Sequence, residues 1–209
     1  MKYKLTENKK TTGSITLYQI EALKDFSNIK KGDLGGWIEK ESNLSQQGNC
    51  WVYDDARVFG SARVSDYAEV YGSARVFGGA SVYGAAKVYD SARVYGNAWV
   101  SGRARVFDNA CVYDSAMVYD KAKVYDDAVV YGYTRVYGDA VVYGAAKVYD
   151  NAMVYGSARV SDYAMVFGAA KVYDSAKVYV SAKVSDYAEV YGSASVSGDA
   201  VVSGYAIIN

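Results

Sequence analysis

Residues 136–153, VYGDAVVYGAAKVYDNAM, contain three consecutive copies of the six-residue unit that decides the fold. Counted from its first residue, the unit reads Val, aromatic, Gly or Asp, variable, Ala, variable. Val recurs at every sixth position from Val52 to Val202, and Ala holds the fifth position of each unit with Thr134 as its only exception. The repeat therefore runs without insertion or deletion through about three quarters of the chain.

Each unit is expected to form a short strand followed by a corner. Side chains on a strand alternate between its faces, so Ala and Val share one face while the sixth residue and the aromatic residue share the other. Val favours strands, and Gly or Asp tolerates the positive φ of a tight corner. One unit cannot bury its Val alone, so successive turns are expected to stack with Val and Ala as inward columns.

Other architectures fit the period poorly. A spacing of six does not keep Val on one face of a helix with 3.6 residues per turn. A four-stranded propeller blade needs a period of about 40, which the chain lacks.

The repeat resembles that of the hexapeptide-repeat proteins, which form a left-handed parallel β-helix with three units in each triangular coil. The resemblance implies an all-β solenoid with 18 residues per coil and about nine coils after residue 51. The left-handed winding is implied by the resemblance alone.

The N-terminal region lacks the regular repeat. Residues 15–26, ITLYQIEALKDF, alternate like a strand, and Leu34, Gly36 and Ile38 fit positions one, three and five of the unit, which places Lys40 on the Val column. We therefore predict a small β cap over residues 1–33, a degenerate first coil over residues 34–51, and a regular β-helix over residues 52–209.

Two N-terminal segments carry a second resemblance. Residues 17–34, LYQIEALKDFSNIKKGDL, and residues 35–54, GGWIEKESNLSQQGNCWVYD, resemble the N-terminal region of the bacterial YdcK family of β-helix proteins. This resemblance implies a fold and a lineage, and it adds no mechanism.

The composition excludes several function classes. The 209 residues include 23 basic and 23 acidic side chains, with no His and no Pro. Balanced charge argues against a generally nucleic-acid-binding protein but allows a local basic stripe. Two Cys without a pairing motif suggest a reducing compartment, and no signal peptide or membrane span is evident. We therefore expect a cytoplasmic protein without a cofactor or a membrane partner.

The absence of His also bears on catalysis. Resemblance to the hexapeptide-repeat family suggests acyltransferases, which use His as a general base, or carbonic anhydrases, which hold zinc through three His. Because this chain has no His, we expect no catalytic residue and no enzymatic activity, with a degenerate acyltransferase as an alternative.

One column of acidic corners is a candidate metal site. Residues 18 apart stack on one corner, so Asp90, Asp108 and Asp126 are expected to lie in a column whose repulsion a hard cation such as calcium would relieve. The other interpretation is that Asp and Gly are interchangeable at corners. This interpretation is favoured, and it predicts no metal site.

The outward aromatic residues are expected to form three ladders with about 4.8 Å per rung. Ring stacking would stiffen the solenoid, which is a structural role. A recognition role is the alternative, in which aromatic and basic columns bind a glycan, single-stranded nucleic acid or a partner protein. The predicted binding residues are Tyr71, Tyr89, Phe107, Tyr125, Arg57, Arg75 and Arg93.

Ser interrupts these ladders at several rungs. At four of the interruptions a Tyr follows two residues later, and we expect its ring to fold back over the gap. These corner residues are Tyr67, Tyr163, Tyr187 and Tyr205.

The C-terminal coil suggests self-association. Unpaired strand edges invite pairing, and the last coil has no covering segment in the sequence. We expect an end-to-end homodimer with two-fold symmetry, and the predicted contact residues are Ser197, Ser203, Ile207, Ile208 and Asn209. Two hypotheses result: a noncatalytic rigid scaffold or self-associating module, and a ligand-binding module that uses the aromatic and basic faces.

Overall fold

The computed structural model describes residues 1–209 except the side chain of Thr12. The chain begins with an antiparallel hairpin of β1 (Tyr3–Thr12) and β2 (Ile15–Ala22). Strand β3 (Leu34–Ile38) pairs antiparallel with β2 and parallel with the strand Arg57–Val58 of the repeat array. A short 3₁₀ helix (Glu41–Asn43) follows. The hairpin thus joins one sheet of the solenoid directly.

The remaining strands are two residues long, and each consists of a sixth-position residue and the Val that follows it, except that the last strand is Ile207–Ile208. They form three parallel sheets. Sheet I contains Trp51–Val52, Glu69–Val70, Lys87–Val88, Arg105–Val106, Lys123–Val124, Val141–Val142, Arg159–Val160, Lys177–Val178 and Ser195–Val196. Sheet II contains β1 to β3 and then Arg57–Val58, Arg75–Val76, Arg93–Val94, Cys111–Val112, Val129–Val130, Lys147–Val148, Met165–Val166, Lys183–Val184 and Val201–Val202. Sheet III contains Arg63–Val64, Ser81–Val82, Trp99–Val100, Met117–Val118, Arg135–Val136, Met153–Val154, Lys171–Val172, Glu189–Val190 and Ile207–Ile208.

Each strand pairs with the strand 18 residues away, so Arg105 lies beside Lys123 and Val106 beside Val124. Backbone hydrogen bonds follow the same step: the amide of Arg105 donates to the carbonyl of Ala122 at 2.9 Å. The Val and Ala columns are fully buried over most of the array. Burying each Val stabilises the solenoid by roughly 1.5–3 kcal/mol, and the gain recurs with every unit. The prediction of an all-β solenoid with coils of 18 residues is confirmed, and the left-handed winding stays a prediction of the resemblance.

Corners between sheets adopt the left-handed backbone conformation, as Asp126 does with φ 56° and Gly144 with φ 66°. Asp serves here because its carboxylate accepts a hydrogen bond from the corner amide of the next coil. The amide of Gly144 donates to Asp126 Oδ2 at 3.0 Å, and the same contact recurs at many corners. Gly and Asp are thus the residues that tolerate this backbone conformation, and Asp adds a bond between coils.

The first coil differs from the predicted register. Ile38, rather than Lys40, pairs with Val58. The 3₁₀ helix adds two residues to this coil, and Asn43 in that helix donates through Nδ2 to the carbonyl of Ala62 at 2.8 Å. The longer path buries Ile38 and leaves the Lys40 side chain outside the core.

The hairpin and the loop after it cover the N-terminal end of the solenoid. Trp51 is buried between the rings of Tyr3 and Phe26. Lys2 is buried beside them, and its Nζ donates to the carbonyl of Cys50 at 2.8 Å. Burial lowers the pKa of Lys2, because the charged ammonium loses hydration there.

Candidate functional site: a basic groove beside an aromatic ladder

From Tyr71 to Tyr143 the aromatic residues of sheet I form a stack on the outside of the solenoid. The rings of Tyr89 and Phe107 are 4.8 Å apart and nearly parallel, as are those of Phe107 and Tyr125. Tyr71 precedes them at 4.6 Å, and Tyr143 follows at 5.2 Å. Each ring therefore covers the faces of its neighbours and leaves its edge exposed. This ladder contains the four aromatic residues of the predicted binding surface.

The three predicted Arg residues lie on another face. Arg57, Arg75 and Arg93 belong to sheet II, where stacked Phe59 and Phe77 stand outward beside them. A corner separates the aromatic residue of one unit from the sixth residue of the same unit, and this corner turns the chain onto the next sheet. The predicted binding set thus spans two faces, and its binding role stays a prediction.

The cations that accompany the sheet I ladder come from the same strands and from the corners that precede them. They surround a groove of about 470 Å³ whose walls also include Asp139, Val141 and Ser157. The basic residues of this groove, called the basic groove below, are Arg103, Arg105, Lys121, Lys123 and Arg159. The repeat itself indicates Arg105 and Lys123 as basic sixth-position residues beside an aromatic column, because each precedes an aromatic residue by two positions. It gave no signal for Arg103 and Lys121, which stand at variable corner positions.

Few acidic groups neutralise the basic groove. Among the residues that the structure describes, its only ion pair joins Lys121 to Asp139, at a loose 3.8 Å. Arg103, Arg105 and Arg159 are exposed and form no ion pair within the described chain. Toward the N-terminal end of sheet I the balance changes, because Lys87 pairs with Glu69 at 2.6 Å. Free positive charge is therefore concentrated on the middle coils.

The ladder also shifts the ionisation of its own hydroxyl groups. Burial raises the pKa of Tyr71 to about 12, and the nearby phenol of Tyr89 and the carboxylate of Glu69 add to the effect. Burial raises the pKa of Tyr125 in the same direction. The phenols therefore remain neutral hydrogen-bond donors at neutral pH.

One rung of the sheet I ladder is missing at Ser161, between Tyr143 and Tyr179. A cavity of about 350 Å³ occupies this position, and Arg159 and Lys177 stand beside it. Ser161 is only 6% exposed and forms the floor. We call this cavity the Ser161 slot.

The corner Tyr residues do not close such gaps. Tyr163 is 72% exposed and Tyr187 is 60% exposed, so the expectation that these rings fold back over the missing rungs is wrong. At the gap at Ser101 on sheet III, the neighbouring Trp99 is 49% exposed, and its ring meets the ring of Tyr83 edge-on at 6.4 Å. The sixth-position residue beside the Ser161 slot is the charged Arg159, which lines the cavity.

The acidic corner considered for metal binding has another use for its carboxylates. Asp108 Oδ2 accepts a hydrogen bond from the amide of Asp126 at 3.3 Å, and Asp126 Oδ2 accepts one from Gly144. Asp90 lies one coil before them with the same positive φ. Within the described part of the chain, no group of three acidic or Cys side chains is positioned to hold a metal ion.

The residues predicted for self-association lie in the last turns of the three sheets. Ile207 is 64% exposed and Ile208 is 37% exposed. Ser197, Ser203 and Asn209 lie outside the core with them. End-to-end dimerisation stays a prediction that light scattering can test.

Comparison with known proteins gives two matches. The family model described as the YdcK β-solenoid repeat matches residues 52–66 and 146–162. A protein of Escherichia coli strain K12 named "uncharacterized acetyltransferase YdcK" is 41% identical over 73 residues, which cover 31% of this chain and 22% of that protein. The chain thus matches less than a quarter of the length of this relative.

The relative's name corrects one expectation. The absence of His led us to expect a chain without enzymatic activity, and similarity to a protein named an acetyltransferase contradicts this. The inference failed because it took the His-dependent mechanism of the best-known family members as the only one available to the fold.

In the described residues, no helix has the length and apolar character that crossing a bilayer requires.

The repeat match, the related sequence and the three-sheet solenoid together confirm the resemblance of this chain to the YdcK β-solenoid proteins.

Proposed function

We propose that the protein is a rigid binding module whose sheet I face takes single-stranded nucleic acid along the basic groove. The observation that carries this proposal is the row of cations beside an aromatic ladder on one face of the solenoid, of which only Lys121 forms an ion pair in the described residues. Grooves of this composition bind single strands through phosphate contacts and ring contacts, with little dependence on sequence.

The geometry of the groove supports an elongated ligand. Arg105 and Lys123 lie on adjacent strands of sheet I, and Arg159 lies two strands farther on. Successive rungs are about 4.8 Å apart, so these charges span roughly 14 Å along the axis. A linear polyanion can contact all of them at once, and the rigid array holds the cations in position before the ligand arrives.

The neighbouring ladder supplies hydrogen-bond donors. The rings of Phe107, Tyr125 and Tyr143 line an adjoining cavity of about 390 Å³. This cavity shares Lys123, Val141 and Arg159 with the basic groove. Their stacked faces are covered by one another, so phenol hydroxyl groups and ring edges are the parts that reach the ligand. Neutral phenols can donate to phosphate or sugar oxygens.

Binding of a fluorescently labelled oligothymidylate, measured by anisotropy at several salt concentrations, tests the proposal. The test variant carries Arg105→Ala, Lys123→Ala and Arg159→Ala. We expect it to bind more weakly and to reduce the slope of log K against log salt by about 2, since each phosphate contact contributes roughly 0.7. The matched control carries Arg57→Ala, Arg75→Ala and Arg93→Ala on sheet II and is expected to bind like the wild type.

Two outcomes would overturn this assignment. Equal loss in both variants would show that overall charge, rather than the groove, attracts the strand. Tight binding of a sulfated glycan together with no binding of the oligonucleotide would assign the same face to a different polyanion.

Acetyl transfer is the second candidate function, and the name of the related protein favours it. Its donor, acetyl-CoA, carries several phosphate groups, which the basic groove can attract. Release of free CoA, followed with a thiol reagent in the presence of candidate amine acceptors, tests this candidate. Turnover that disappears in the Arg105, Lys123 and Arg159 variant would support it, while absence of turnover across acceptor classes would count against it.

A further inference from the structure

We propose that the Ser161 slot is a subsite for one nucleobase, held between the rings of Tyr143 and Tyr179. The proposal deepens the proposed function, because it assigns a specific position on the sheet I face to the base of a nucleotide. It stands on the missing rung and on the two cations beside the cavity.

The ladder itself defines the dimensions of the slot. Elsewhere on sheet I, Tyr125 lies between two rings whose centroids are 4.8 Å and 5.2 Å from its own, and its plane lies within 10° of theirs. Tyr143 and Tyr179 are separated by two such steps, with Ser161 in place of the middle ring. A single planar aromatic ring placed in the slot would therefore have the same stacking distances as Tyr125.

The two walls of the slot are available. Tyr143 stacks on Tyr125 on one side only, and Tyr179 has no ring contact among the described residues. One face of each ring is therefore free to stack on a ligand. Base stacking on aromatic side chains contributes to binding of any of the bases, since every base has a π face.

Charge around the slot favours an anionic ligand. Arg159 and Lys177 both line it, both are exposed, and neither forms an ion pair in the described residues. The carboxylate of Asp162 is partly committed, because it accepts hydrogen bonds from the hydroxyl of Ser161 at 3.2 Å and the amide of Val180 at 3.0 Å. A base in the slot would thus place its phosphates between two free cations.

The second interrupted ladder provides an internal comparison. At Ser101 on sheet III the neighbouring sixth-position residue is Trp99, whose ring already contacts the flanking ring of Tyr83 edge-on at 6.4 Å. Among the described residues, the Ser161 gap combines two rings that each have a free face with two flanking cations. This combination explains why a nucleotide, rather than an uncharged aromatic compound, fits the slot.

The test uses an oligothymidylate with one central 2-aminopurine, whose fluorescence is quenched when the base stacks. With the wild-type protein we expect quenching on binding. Ser161→Tyr restores the missing rung and fills the slot, so quenching should disappear and affinity should fall by about 5- to 150-fold. Ser197→Tyr is the matched control, because it adds a rung beyond Tyr179 on the same ladder without entering the slot.

Adenosine monophosphate, titrated by calorimetry, separates this inference from the proposed function. Binding to the wild type and the Ser197 variant, but not to the Ser161 variant, would support the slot even if the oligonucleotide fails to bind. Unchanged oligonucleotide affinity and quenching in the Ser161→Tyr variant would overturn the slot while leaving the groove intact. Failure of both ligands to bind the wild type would overturn both proposals, and saturable binding of an acidic Tyr-containing peptide alone would replace the nucleobase with an aromatic side chain.

Discussion

Val180 is the residue whose replacement tests the corner geometry most directly. It is the only β-branched residue among the positive-φ corners that the structure describes, with φ 62° where Gly or Asp stands in the other coils. Holding a residue with a branched Cβ in this conformation costs roughly 1–2 kcal/mol. Val180 is also 44% exposed, so its side chain recovers little of that cost through burial.

Replacement by Asp should reduce the strain, because a short polar side chain that hydrogen-bonds locally tolerates this conformation, and it should add a bond. The amide of Gly198 lies one coil farther on, in the position from which Gly204 donates to Asp186 Oδ2 at 3.0 Å. An added exposed hydrogen bond contributes about 0.5–1.5 kcal/mol. We therefore expect Val180→Asp to stabilise its coil by about 1–2 kcal/mol. Val180→Gly should stabilise it less, because Gly loses about 0.4–1 kcal/mol through its greater freedom in the unfolded chain.

Hydrogen exchange of the amides in residues 177–196, read by mass spectrometry, is the appropriate assay, since a solenoid opens coil by coil and a single unfolding midpoint averages over coils. Val180→Ala keeps a Cβ at positive φ and should gain little. The reverse substitution Asp186→Val should destabilise the adjacent corner by a similar amount. The reasoning is refuted if neither Asp nor Gly at position 180 slows exchange, or if Asp186→Val has no effect.

Three further outcomes are expected. Tyr113→Ser removes the ring contacts to Tyr95 and Tyr131, whose centroids lie 4.8 Å and 5.0 Å away. It should therefore lower the free energy of unfolding by about 1–3 kcal/mol, measured by denaturant melts. An unchanged midpoint would contradict a structural role for the ladder. Val148→Ala leaves a cavity in the fully buried Val column and should lower the free energy of unfolding by about 2 kcal/mol. No loss of stability would contradict dense packing in this column. Because burial raises the pKa of Tyr71 to about 12, while an unfolded Tyr titrates near 10, the folded state binds its phenol protons more tightly. This contribution to stability should be fully present below about pH 10 and be lost as the pH rises toward 12. Absorbance at 295 nm and circular dichroism, recorded together, follow phenol ionisation and unfolding. Phenol titration centred at about 10 without unfolding would contradict this expectation.

The candidate site depends on which outward side chains share one face of the solenoid, and the six-residue repeat shows this only in part. The six-residue spacing places every sixth residue and every aromatic residue on the outside, and the structure confirms this for Arg105 and Phe107. The prediction that grouped Arg57 with Tyr71 on one binding surface did not account for the corner after each aromatic residue. Because that corner rotates the chain onto the next sheet, side chains four residues apart face different directions.

The regular array was predictable because its stabilising contacts repeat with the sequence. Val and Ala at constant spacing, Gly or Asp at each corner, and the absence of Pro all favour one arrangement of stacked coils, so local preference and packing agree. Outward ladders follow from the same alternation. The amino-acid sequence by itself therefore determined the solenoid, its inward columns and the existence of the aromatic stacks.

Tertiary contacts decided the remainder. The 3₁₀ helix after Ile38 lengthens the first coil and replaces Lys40 with Ile38 beside Val58, a change that depends on hydrogen bonds between coils. Beside the Ser101 gap the ring of Trp99 contacts Tyr83, while a cavity lies at Ser161. Both outcomes depend on how side chains from different coils meet in space. Periodicity specifies which face a residue occupies, but the packing of neighbouring coils determines which surface is covered and which is left available for a ligand.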